Sequence, residues 1–114
     1  MTLGQKQRLF THLVGKLILK AYELGYDLYL GDAYRSPEVA EQMAREGRGI
    51  RNSLHCERLA IDLNLFKNGK YLTKSEHHRP LGEWWKQQHP LCRWGGDFSK
   101  PDGNHYSMAH QGRA

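Results

Sequence analysis

The sequence predicts an α+β domain, a small antiparallel sheet with helices packed on one face, and three observations carry that expectation. Apolar residues recur at helical spacing across residues 3–24. They alternate strictly across 59–66, and an Asn68-Gly69 turn pair follows at once. The chain has 114 residues, a length that suits one core, since domains typically run to ~100–150 residues. A single domain over 1–114 is therefore expected.

Taken in order, the first helix places Leu9/Phe10, Leu13/Val14, Leu17/Ile18, Ala21/Tyr22 and Leu24 on one stripe. Lys6, Arg8, Lys16, Lys20 and Glu23 lie mostly off it. Gly25 is a natural stop, and residues 26–30 read as a short strand. Ser36 is an N-cap with Pro37 at the first helical position, opening a second helix that ends near Gly47. Gly47-Arg48-Gly49 starts a flexible loop.

In the alternating strand Leu59, Ile61, Leu63 and Leu65 point one way; Ala60, Asp62, Asn64 and Phe66 point the other. The first helix is expected on the Leu/Ile face. Residues 71–72 return as a short partner strand after the Asn-Gly turn. Residues 75–79 are polar and read as a solvated turn holding His77 and His78. A helix is expected from Pro80 to about Gln88, with one of Trp84 and Trp85 in the core and the other at the surface. His89, beside Pro90, ends that helix. Residues 94–98 and 101–104 read as loops, and 105–108 as a last short strand.

A charged fraction of 25% and an aromatic fraction of 11% exclude wholesale disorder. No apolar run approaches the ~18 residues of a membrane span, so no stable membrane insertion is expected. The N-terminal residues show no small-residue cleavage site, so no conventional secretory signal is expected and synthesis is placed in the cytoplasm. The formal charge of +5 and the pI near 9.4 suit an anionic partner: nucleic acid, an acidic membrane surface or an anionic wall polymer. The basic residues are scattered and match no nucleic-acid motif, so no nucleic-acid partner is expected. Cys56 and Cys92 are too few for a disulfide scaffold and too far apart for a CxxC site. They are expected reduced.

Asp62 stands on the face opposite the Leu/Ile stripe, with His55 seven residues upstream and Asp102-x-x-His105 far downstream in a Gly-rich stretch. Two His and one Asp can supply three ligands to Zn²⁺, with a fourth position left for water. A leftover carboxylate beside that water would be a general base. Such spacing alone is not a stand-alone metal motif. Asp97, after two glycines, reads as a carboxylate orienting a ligand His rather than as a ligand. His12 and His110 read as surface residues, and Cys56 as pointing away from the site.

Residues 53–62, Ser-Leu-His-Cys-Glu-Arg-Leu-Ala-Ile-Asp, resemble the SxHxxxxAxD signature of the zinc peptidoglycan peptidases. That family includes D-alanyl-D-alanine carboxypeptidases and phage-type L-alanyl-D-glutamate endopeptidases. Tyr34-Arg35-Ser36-Pro37, Trp94-Gly95-Gly96-Asp97-Phe98 and Asp102-Gly103-Asn104-His105 are similar to its other blocks, in the same order. The resemblance implies a zinc site of His55, Asp62 and His105 on the sheet face away from the helices. It makes Asp102 the catalytic base and Arg35 the group that polarises the scissile carbonyl.

Two departures stand out. Arg58 occupies a position where the family often has Gly, and the base is Asp where the carboxypeptidase branch more often has Glu. The second leans toward an L-alanyl-D-glutamate endopeptidase, a phage or prophage endolysin that acts as a monomer on the peptidoglycan stem peptide after release to the wall. The alternatives are a D-alanyl-D-alanine carboxypeptidase and a non-catalytic, zinc-stabilised wall-binding module. A binding module would have no need of Arg35 and Asp102.

Overall fold

The structure, a computed structural model, describes residues 1–114. Helix α1 (Leu3–Glu23) starts on a capping box in which the Thr2 hydroxyl accepts the Gln5 N–H and the Gln5 side chain accepts the Thr2 N–H. Phe10, Leu13, Val14, Leu17 and Ala21 form its buried stripe. Gly25, at φ 89°, takes the left-handed conformation that ends the helix and turns the chain into β1 (Asp27–Leu30). Helix α2 (Pro37–Arg45) is capped by Ser36, whose hydroxyl accepts the Val39 N–H at 3.2 Å, as expected from its Ser-Pro start.

Strands β2 (Ala60–Lys67) and β3 (Lys70–Tyr71) form the hairpin, with Asn68 and Gly69 at φ 52° and 77°. With β4 (Cys92–Trp94) and β5 (His105–Met108) the sheet runs β1-β2-β5-β4, antiparallel throughout, and β3 lies beside β2. Leu59, Ile61, Leu63 and Leu65 are buried in one apolar cluster with the α1 stripe, while Asp62 and Asn64 are only half-buried. The register read from the alternation is therefore the one observed. Ala60 is buried too, because a 3-10 turn at Leu54–Glu57 covers that end of β2.

Helix α3 (Arg79–Lys86) seals the cluster with Trp85, which is fully buried, while Trp84 is half-buried against its edge. The Trp85 ring meets Phe10 and Tyr106 edge-on, with centroids 5.8 and 6.4 Å apart. Its indole N–H donates to the carbonyls of Arg93 and Ser107, so the only polar atom of the ring is paired. No helix is long and apolar enough to cross a membrane.

Two expectations fail. Part of residues 94–98 is not loop, since Trp94 ends β4 and Gly95–Asp97 is a 3-10 turn. A strand of three residues is too short to show an alternation. His78 is not on a solvated turn. It sits in a 3-10 turn (Ser75–His78), is 3% exposed, and its Nδ1 lies 2.9 Å from the Tyr106 hydroxyl. Burial, helped by the charge of His77, pushes the His78 pKa from 6.5 down to about 4.

Because the folded value lies below the unfolded one, the unfolded chain binds the extra proton between those limits. Stability is therefore expected to fall as pH drops from 6.5 toward about 4. Thermal melts in the presence of chelator across that range check it: the acid loss should shrink in His78→Gln, and an equal loss in parent and variant would refute the assignment.

Candidate active site

Three segments converge on the sheet face away from α1. Asp62 on β2 and His105 on β5 are paired directly across the ladder, which puts their side chains on one face as neighbours. His55 comes from the 3-10 turn, which starts where the Ser53 hydroxyl accepts the His55 N–H at 3.1 Å. The turn ends at Arg58, in the left-handed region at φ 55°. A glycine enters that region without strain, and Arg58 enters it with its guanidinium stacked 4.0 Å from the Tyr34 ring centroid. The departure at this position thus leaves the His55 turn in place.

His55 Nε2 and His105 Nδ1 lie 3.3 and 3.8 Å from Asp62 Oδ1, and the three ligand atoms all fall within 4.8 Å of one another. In a tetrahedral zinc site with bonds of ~2.0–2.2 Å, ligand atoms stand roughly 3.3–3.6 Å apart. Asp62 Oδ1 is buried and accepts no hydrogen bond. An anionic oxygen in that state calls for a cation. Burial, reinforced by neighbouring His55, pushes the His105 pKa down to about 4, so its ring is neutral at pH 7. Neutral imidazole is the form that binds a metal. The residues present fit a zinc ion on His55, Asp62 and His105.

Asp102 and Arg35 line the same cleft, whose volume is about 460 Å³, with Arg48 and Lys100 also on its walls. Arg35 is tied to the site at both ends. Its N–H donates to the His55 carbonyl at 3.2 Å, and its guanidinium donates to Asp32 at 3.0 Å. The Arg35 Nε is buried without a partner.

Asp102 sits on a loop pinned on all sides. Its N–H donates to the Gly95 carbonyl (2.9 Å), and its carbonyl accepts the His105 N–H (3.1 Å). The next residue, Gly103, offers its carbonyl to the Trp94 indole N–H (2.7 Å) and its N–H to the Ser75 hydroxyl (2.9 Å). Trp94 lies in a slot where a Cβ at Gly82 or Gly96 would overlap its ring. Although open to solvent on its outer side, the Asp102 carboxyl is partly enclosed. That burial, ahead of repulsion from Asp62, raises its pKa, while His55 and Arg35 oppose the rise.

The five residues singled out from the sequence are thus brought to one cleft. Asp97 is not among them: its carboxylate is exposed and bound to Lys86 Nζ at 2.7 Å, so it orients no histidine. Cys56 and Cys92 are free thiols, as expected. Arg48 and Lys100 escaped notice because an exposed basic residue in a scattered basic sequence carries no pattern of its own.

A family model described as D-alanyl-D-alanine carboxypeptidase matches residues 46–108, more than half of the chain, including His55, Asp62, Asp102 and His105. Among solved structures, the crystal structure of the Serratia marcescens L-Ala D-Glu endopeptidase ChiX is similar, with a TM-score of 0.70 at 19% identity over 87% of this chain and 79% of that one. A search of curated proteins by sequence returns no match. The fold is therefore shared with a solved peptidase, and the sequence match extends through the His-Asp-His face. The chain belongs to the D-alanyl-D-alanine carboxypeptidase family of zinc peptidases.

Proposed function

We propose that the protein is a zinc-dependent hydrolase of the peptidoglycan stem peptide, cutting the L-alanyl-D-glutamate bond as a phage or prophage endolysin. The observation that carries this reading is the buried, donor-free Asp62 oxygen between two histidines, with Asp102 and Arg35 lining the same cleft. Likeness of fold to an L-Ala D-Glu endopeptidase, and an Asp rather than a Glu as base, favour that bond. The family description supports a second reading, removal of a terminal D-alanine. Retention of both Arg35 and Asp102 speaks against a module that only binds the wall.

When bound, zinc supplies Lewis-acid polarisation and acidifies water. The chain does the rest. Asp102 takes a proton from the attacking water on its carboxylate and passes it to the leaving amine. A carboxyl pKa above the ordinary range makes it a better partner for both transfers. Arg35, held by Asp32, directs guanidinium N–H groups to the carbonyl oxygen as charge develops there. With a net charge of +5, the protein would be drawn to the anionic envelope once released to it.

Digestion of purified peptidoglycan, with and without chelator, tests the reading. New fragments with a free D-glutamyl amine, lost on chelation and restored by zinc, are expected. Release of free D-alanine instead would move the assignment to the second reading. Wall binding without any cleavage by zinc-loaded protein would overturn both.

A further inference from the structure

A second cavity of about 240 Å³ lies beside the zinc cleft, and the two share Pro101 and Asp102 as a common wall. Its side chains are mostly polar, and Asp102 on the shared ridge is its only acid. Beside the exposed Thr73 hydroxyl, three hydrogen-bond donors line it with nothing in the protein to receive them. Lys74 is exposed and forms no ion pair. Ser75 Oγ already accepts the Gly103 N–H, which leaves its own hydroxyl proton for a ligand.

The third donor follows from a buried pair. The Tyr106 hydroxyl is completely buried and has one partner, His78 Nδ1 at 2.9 Å. If Nδ1 carried the proton, the tyrosine proton would be stranded without an acceptor, at a cost of ~1–3 kcal/mol. Tyr106 therefore donates, Nδ1 accepts, and the ring proton of neutral His78 resides on Nε2. That is the one ring nitrogen left without a protein partner, on a side chain that lines the cavity. A cation and two neutral donors around one small space make a site for a carboxylate.

Its position says which carboxylate. Asp102 hands the proton to the leaving amine and also forms the ridge between the two cavities, so the fragment that bears this amine leads into the second one. In stem peptides the D-glutamyl residue continues the chain through its γ-carboxyl, and its α-carboxylate stays free beside the leaving nitrogen. We propose that Lys74, Ser75 and His78 form a subsite for the α-carboxylate of the leaving D-glutamyl residue. This rests on the L-alanyl-D-glutamate reading above.

The test is one of binding, so that it stands apart from turnover. The probe is γ-D-glutamyl-L-alanine amide, whose single carboxylate is the glutamyl α-carboxyl, against its α-amidated counterpart, each titrated into zinc-loaded protein. The acid is expected to bind about tenfold or more tightly than the amide, with shifts at the His78 ring in NMR spectra. Lys74→Gln should erase most of that preference, and Lys74→Arg should restore it. Because Lys74 is exposed, neither variant endangers the fold. Equal binding of acid and amide, or a preference untouched by Lys74→Gln, overturns the subsite. If the protein cuts no peptidoglycan and yet shows the Lys74-dependent preference, the subsite stands and the hydrolase reading falls.

Discussion

Asp102→Asn protein is expected to keep its zinc and its melting temperature while hydrolysing peptidoglycan ~10²–10⁴-fold more slowly, the usual contribution of a positioned general base. The substitution preserves size and shape, and what holds the loop is backbone. The anchors at Gly95, His105, Trp94 and Ser75 all act on main-chain atoms of residues 102 and 103, which an amide side chain leaves alone. Loss of activity with metal content intact would thus report the missing proton acceptor rather than a lost site. Release of peptide fragments with a free D-glutamyl amine, followed by mass spectrometry beside elemental analysis, is the measurement. Parent-like hydrolysis by Asp102→Asn would remove Asp102 from the base role, and Asp97, held by Lys86, would not be positioned to replace it.

His105→Ala is expected to lose both the metal and all hydrolysis above background. Removing this ring leaves Asp62 with one histidine instead of two, across a ladder where the pair stood directly opposed. Metal affinity is linked to folding, so the parent should melt lower on chelation. At zinc a hundredfold above its dissociation constant, the linkage amounts to about 2.7 kcal/mol. The variant should show no such chelator-dependent shift, because it has no site to empty. Calorimetric melts with and without chelator, beside zinc analysis, read this out. A variant that still binds one zinc per chain would break the ligand assignment.

Much of this arrangement was legible in the chain, and the reasons differ by element. The β2 register could be read because its two faces differ in polarity, so a one-residue slip would exchange Ile61 for Asp62 in the core. The Ser36-Pro37 start and the Asn68-Gly69 turn declared themselves because their backbone conformations admit few residue types. The candidate ligand set followed from motif resemblance, since Asp62 and His105 meet through a strand pairing and His55 joins them from a 3-10 turn, neither of which spacing encodes. The burial of His78 was hidden for a similar reason. Its partner Tyr106 lies 28 residues away, and a run of Ser-Glu-His-His-Arg looks solvated until that tyrosine is brought to it. Asp97 misled because it stands in a family block, yet that block serves packing: Trp94 fills the slot and Gly96 leaves room for its ring.

The Trp94 slot separates two kinds of constrained residue. His55, Asp62 and His105 form the group that could hold a metal, so their identity would follow from ligand chemistry. Gly82 and Gly96 are fixed by what they must not contain, because any side chain there displaces the indole whose N–H holds the Gly103 carbonyl. A lesion at either glycine would reach the reaction through the aim of the Asp102 loop, with every reactive group still present. In a survey of inactive variants, those at positions 82, 94 and 96 would therefore sort with disorders of shape, recoverable by restoring the fit between ring and slot. Those at 55, 62 and 105 would sort with disorders of composition, which no repacking repairs.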